Sequence, residues 1–324
     1  MQWWPPPPAA ANWGEAATSP KGDRRAWRRI LDGAVTRFDT ISFLSDYGTT
    51  DEFVGVVHSV IRQLAPHVSV IDVSHHVPEH DVRSGGLTLA RSAQYLAPGV
   101  VLAVVDPGVG TQRRAIAVEV GDGASILVGP DNGLLAPAVS MVGGATRAVV
   151  LSEEEFHLPA PGPTFAGRDV FAPVAAHLCN GVDLLELGPE VDPVTLTPGM
   201  IPITREEEGH LIAEVLWTDH FGNLQLNVDP AEIESLGERI ELRFDGRART
   251  GIRRTAYDEI GVGEVGLVVD SYGLMSLAVN RGSAAEELGI ATGDEVKIVL
   301  GEAGDDIDPG PTGAVTSVTL GAKP

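Results

Sequence analysis

Three charged residues stand where an apolar run stops and a glycine-containing turn begins. Asp46 follows "ISFLS", Asp106 follows "VVLAVV", and Arg113 closes the turn "DPGVGTQR" that Asp106 opens. A carboxylate at the end of a buried strand is badly placed for packing and well placed to accept two hydrogen bonds from the vicinal hydroxyls of a ribose. Asp46 has a second reading, as a cap for the helix-like "TTDEFVGVVHS", a role for which Thr49, Thr50 and Asp51 compete. Asp106 and Arg113 could together hold one water, the guanidinium easing its hydroxide character and the carboxylate orienting its proton. The alternative is a loop salt bridge of little worth.

Other motifs carry less. "DPGVGT" lacks the Gly-Lys-Ser/Thr ending of a phosphate loop, and "GVGEVG" at 261–266 lies in a strand-rich region where a dinucleotide fingerprint has no helix to open. His75, His76 and His80 with Asp72 and Asp81 offer metal-ligand types, but loop spacing constrains nothing, and the segment reads as a solvated turn.

The elements that must position these groups follow from hydrophobic pattern. From Thr40, short runs of Val, Ile, Ala and Leu alternate with the helix-like segments "VGVVHSVIRQLAP" and "VRSGGLTLARSAQYL". This predicts a mixed, largely parallel sheet with helices on both faces, whose ligands sit at the carboxyl ends of strands. After a Pro-rich connector the texture shifts to alternating strands, among them "HLIAEVLWTD", "ERIELRF", "VGLVVDSYG" and "DEVKIVL", predicting an antiparallel β-barrel. The expected divisions are a Pro/Trp-rich extension at 1–37 with a possible short helix at Arg24 to Leu31, an α/β domain at 38–190, a linker at 191–202, a barrel at 203–301 and a disordered tail at 302–324. The extension could also stem from a start codon placed too far upstream.

The net charge of −22 repels phosphate backbones and anionic lipid, so nucleic acid and membranes are not expected partners. The single cysteine, Cys179, lies in an apolar run and reads as a buried thiol in a reducing compartment. With no apolar run of about 18 residues and no signal-peptide pattern at the start, a cytoplasmic location is expected.

Seven blocks in order, "SDYGTTDEFVG", "VIDVSHHVPEHDV", "VLAVVDPGVGTQRRAIAV", "GPDNGLL", "TFAGRDVFAP", "TDHFGNLQLN" and "VVDSYGLMSLAVN", resemble the S-adenosyl-L-methionine (SAM) hydrolases, or SAM hydroxide adenosyltransferases (DUF62), relatives of the SAM-dependent fluorinase and chlorinase. The likeness runs from about Phe38 to Leu300. It implies hydrolysis of SAM to adenosine and L-methionine in a homotrimer, with sites between the N-terminal domain of one subunit and the C-terminal domain of the next. It implies Asp46 on the ribose hydroxyls, and Phe221, Asn223 and Tyr257 on adenine. Asp219 and Ser271 would take the methionine ammonium and carboxylate, with His80, Phe165 and Gly167 also lining the substrate. No metal or redox cofactor is expected.

Halogenases of this kind resemble "TYPATGT" where this chain has "VDPGVGT", so Asp106 replaces a tyrosine and its charge disfavours a halide. The hydrolases carry an Asp-Arg-His triad around the attacking water. Asp106 and Arg113 match its first two members, but the block Thr-Phe-His-Gly-Arg-Asp here reads Thr164-Phe165-Ala166-Gly167-Arg168-Asp169. Ala166 thus stands at the histidine position, and three readings are open: a substitution made to trap a complex, a natural one with another group compensating, or a protein that binds SAM or adenosine without turning it over. Weak residual hydrolysis is the expectation, since a lost acid or base removes about 10² to 10⁴ of rate. A SAM-dependent halogenase is the remaining alternative.

Overall fold

The computed structural model describes residues 37–300. The expected N-terminal helix and disordered tail lie outside these residues. The chain divides into two compact units, one ending at Ile201 and the other starting at Pro202.

The first unit is a seven-stranded sheet built from β1 (Thr40–Ser45), β2 (Ser69–Ser74), β3 (Val100–Val104), β4 (Ala115–Val120), β5 (Ser125–Pro130), β6 (Ala145–Val150) and β7 (Glu190–Val191), in the order β2-β1-β3-β5-β4-β6-β7. Its helices are α1 (Phe53–Leu64), α2 (Val82–Ala93), α3 (Ala136–Met141) and α4 (Ala172–Cys179). Parallel pairing joins β2, β1, β3 and β5, while β4 pairs antiparallel with β5 and β6, and β6 with β7. The short turn between β4 and β5 leaves no room for a crossover helix, so a hairpin forms there.

Because successive side chains of a strand point to opposite faces, β1 and β3 each feed two cores. Ile41, Phe43, Val100 and Leu102 pack with Val57 and Ile61 of α1 and with α4. Leu44, Val101 and Ala103 pack with Leu89 of α2 and Ala138 of α3. Helices therefore cover both faces. Arg37, the last residue of the expected extension, is joined to this unit, its Nη2 donating to Glu119 Oε2 at 3.1 Å. The connector is docked too: Arg114 Nη2 donates to the Thr195 carbonyl at 2.6 Å, and Thr197 N donates to Asp131 Oδ1 at 2.7 Å.

Inside α4, His177 is buried edge-on against Phe156, and burial pushes its pKa down to about 4 from 6.5. Between those two values the unfolded chain takes a proton that the folded chain refuses. His177 therefore costs no stability above pH 6.5 and about 3 kcal/mol once the pH has fallen to 4. In urea unfolding followed across that range, His177→Leu is expected to flatten this part of the loss; an unchanged slope would refute it.

The second unit contains β8 (Arg205–Glu207), β9 (His210–Thr218), β10 (Leu224–Leu226), β11 (Arg239–Phe244), β12 (Arg247–Arg254), β13 (Val265–Val269), β14 (Met275–Val279), the short helix α5 (Ala284–Leu288) and β15 (Glu295–Val299). The order is β10-β14-β13-β12-β11-β15-β9-β8, and β10 also pairs with β9. Seven strands thus close a barrel, with β8 outside the ring. All pairs are antiparallel except β12 with β13. Sequence pattern missed β12, "RARTGIRR", because it carries charge along an exposed face. Gly251 inside it admits the neighbours' leucines: a Cβ there would lie 2.8 Å from Leu267 Cδ1 and 2.9 Å from Leu242 Cδ1.

Cys179 is fully buried, and burial pushes its thiol up to about 12. Among the described residues no helix is long and apolar enough to cross a membrane.

Candidate active site

The carboxyl ends of β1 and β3 carry the first cluster. Beyond β3, Arg113 Nε donates to both Asp106 oxygens at 2.9 and 3.0 Å, and Arg113 Nη2 also donates to Oδ2. The side chains are 5% and 15% exposed, so this is a forked, buried pair. Local sequence folds the turn back on itself. Val109 N donates to the Asp106 carbonyl, Thr111 Oγ1 donates to the Gly108 carbonyl at 2.7 Å, and Gly110 takes the left-handed conformation at φ 77°. Phe171 lies under the Arg113 guanidinium at 5.2 Å. Asn132, in the "GPDNG" block, anchors the strand end by donating from Nδ2 to the Val105 carbonyl at 2.8 Å.

Asp46 caps no helix. The residue before α1 is Glu52, with no side-chain cap, and Asp46 Oδ2 accepts instead from the backbone N of His80 at 3.0 Å. His80 presents that N–H from a left-handed conformation, φ 66°, while its own side chain is exposed. The expected solvated turn at 72–81 holds only in part. His75 is 5% exposed, and Asp81 caps α2 by accepting from Ser84 N at 2.9 Å. The reason is that β2 ends against β1: Ser45 Oγ and His75 Nδ1 are 2.7 Å apart, and Gly48 N donates to the His75 carbonyl at 2.7 Å.

Tyr47, which sequence reasoning passed over, joins these parts. Its ring meets Phe165 and Phe53 at 5.7 Å each, and a Cβ on Gly167 would collide with its hydroxyl. Burial, then the charges of Asp46 and Asp106, push its pKa up, so the phenol keeps its proton. Asp46, Asp106, Arg113, Phe165 and Gly167 are thus gathered around one ring. Its place beside Asp46, inside the block "SDYGTTDEFVG", was the signal available.

Ala166 precedes a five-residue π-turn, Gly167–Phe171, a form found often at functional sites. It borders a cavity of about 680 Å³ together with Arg113, Asp169 and His157. His157 has no motif to announce it. Its Nε2 is buried without a hydrogen-bond partner, and burial lowers its pKa, so the ring is neutral at pH 7.

The second unit collects the remaining candidates on loops at the ends of β9, β12 and β13. Asp219 Oδ1 accepts from Phe221 N and Asn223 N, each at 2.8 Å, and Asp219 Oδ2 accepts from Asn223 Nδ2 at 2.8 Å. Phe221 is 75% exposed, with the His220 ring edge-on at 5.6 Å. Tyr257 lies near enough to Asp219 and Asp270 that burial and these charges raise its pKa. Ser271 is exposed beside Asp270, whose Oδ1 accepts from Tyr272 N at 2.8 Å and whose Oδ2 accepts from Gln225 Nε2.

Residues 41–188 match the SAM hydroxide adenosyltransferase N-terminal domain and residues 213–297 the C-terminal domain. The chain belongs to the SAM hydroxide adenosyltransferase family. A curated relative from Salinispora tropica, named (R)-S-adenosyl-L-methionine hydrolase, is 44% identical over 261 residues, 81% of this chain and 98% of the relative. A fluorinase from Actinopolyspora mzabensis is 28% identical, covering 80% and 96% of the two chains. Among solved structures, an uncharacterised conserved protein from Thermotoga maritima is similar at a TM-score of 0.74 and 31% identity, covering 80% of this chain and 99% of that one. The two matched regions span both clusters of candidate residues.

Proposed function

We propose that the protein hydrolyses S-adenosyl-L-methionine to adenosine and L-methionine, by in-line attack of water on the ribose C5′. The water oxygen bonds to C5′ as the C5′–S bond breaks. The electron pair leaves with sulfur as the neutral thioether of methionine, and the water gives up a proton. A sulfonium is already a good leaving group, so the site must do two things: hold the water opposite sulfur at attacking distance, and give it hydroxide character where bulk water is shut out.

The observation that carries this reading is the buried, forked Asp106–Arg113 pair at the end of β3. Asp106 orients the proton of the water, and Arg113 offsets the developing negative charge. Asp46 takes the ribose hydroxyls, with Phe165 and the thin Ala166-Gly167 backbone closing over the reacting carbon. Phe221 and Tyr257 stack on adenine, Asn223 reads its edge, and Asp219 and Ser271 hold the amino acid end. His80 serves through its backbone, which steadies Asp46. The chemistry calls for no metal or redox cofactor. A homotrimer and a cytoplasmic location belong to the same proposal, and sedimentation velocity measures the first.

Purified protein incubated with SAM is expected to release adenosine, followed by chromatography, and to form no chlorodeoxyadenosine when chloride is added. Binding of SAM with no product at high protein concentration would favour a non-catalytic binder, the reading that Ala166 supports. A chlorinated product would favour a halogenase.

A further inference from the structure

We infer that His58, Asp72 and His75 form a binding site for a divalent transition-metal ion, with zinc the best match. The three come from α1, from β2 and from the residue that follows β2. Asp72 Oδ1 lies 2.8 Å from His58 Nε2 and 3.0 Å from His75 Nε2, and all three ligand atoms are within 4.8 Å of one another. Nitrogen and oxygen ligands about 2.0–2.2 Å from a tetrahedral ion stand roughly 3–3.5 Å apart, so small side-chain adjustments suffice.

A second observation points the same way. His75 is 5% exposed, and its buried Nε2 makes no hydrogen bond, although Asp72 Oδ1 is close. Its other nitrogen is engaged by Ser45 Oγ at 2.7 Å. When Nδ1 carries the proton, the Nε2 lone pair faces a carboxylate oxygen, an arrangement that a cation between them relieves. Metal-bound histidines regularly have their second nitrogen held in this way. The donor set of two imidazoles and one carboxylate suits zinc or cobalt better than calcium or magnesium. His58 and Asp72 are 35% and 44% exposed, which gives the ion an entry path and leaves a fourth position for water.

The ion would fasten α1 to β2. Because the His75 carbonyl accepts from Gly48 N, it would also stiffen the turn that carries Asp46 and Tyr47. This inference does not depend on the proposed reaction.

The test uses the full chain after chelator treatment, titrated with Co²⁺ while the visible ligand-field bands are recorded, and with Zn²⁺ by calorimetry. One equivalent per chain is expected, with Zn²⁺ displacing Co²⁺ and raising the melting temperature, and with Mg²⁺ giving no signal. Loss of a mere supporting partner costs about 10- to 100-fold in affinity, so His58→Ala is expected to cost at least about 100-fold. That residue is half-exposed, and the variant should fold. His76→Ala, a neighbouring exposed histidine, should bind as before. No stoichiometric binding, or binding that survives His58→Ala, overturns the assignment.

Discussion

Replacing Asp106 with asparagine is expected to lower adenosine release from SAM by about 10²- to 10⁴-fold, the range for loss of a group that handles the proton of the nucleophile. The side chain is the anchor of a buried pair, so the same change leaves Arg113 without its counter-ion. Breaking such pairs costs about 3–5 kcal/mol. Circular dichroism and the melting temperature must therefore be read beside the rate. Arg113→Lys separates the two effects: it keeps the charge but cannot fork onto both oxygens. A slow but well-folded lysine variant is the expected result. Full activity in either variant would remove the pair from the mechanism.

Restoring a histidine with Ala166→His is expected to raise the turnover number by about 10²-fold or more with KM little changed. The position borders the cavity that also meets Arg113, so an imidazole has space and a charged neighbour already waits there. Steady-state kinetics on both proteins check it. An unchanged rate would mean that the position contributes nothing here. His157→Ala then becomes the informative variant, because its half-buried, neutral ring borders the same space.

Much of the architecture was legible in the chain. The strands of the first unit and of the barrel show as runs of β-branched residues, and α1 and α2 show as apolar residues at helical spacing. Asp46 and Asp106 show as carboxylates just past strand ends, where a parallel sheet presents ligands. Each of these signals lies within a few neighbouring residues, and local pattern carries it. The charged strand β12 escaped because its alternation is broken by arginines, among them Arg254, whose partners Glu238 and Glu264 lie elsewhere in the chain.

What the sequence determined by itself was the order of the apolar elements, the family likeness, and the pairing of Asp106 with Arg113, which one glycine-rich turn brings together across seven positions. Only the tertiary structure decided that Tyr47 packs against Gly167, that His157 faces the room beside Ala166, and that His58 meets Asp72 and His75. The physical reason is the same in each case. A helix laid on a sheet, or a loop folded over a strand end, brings side chains into contact at separations along the chain that no periodicity encodes, because burial of the shared core sets them.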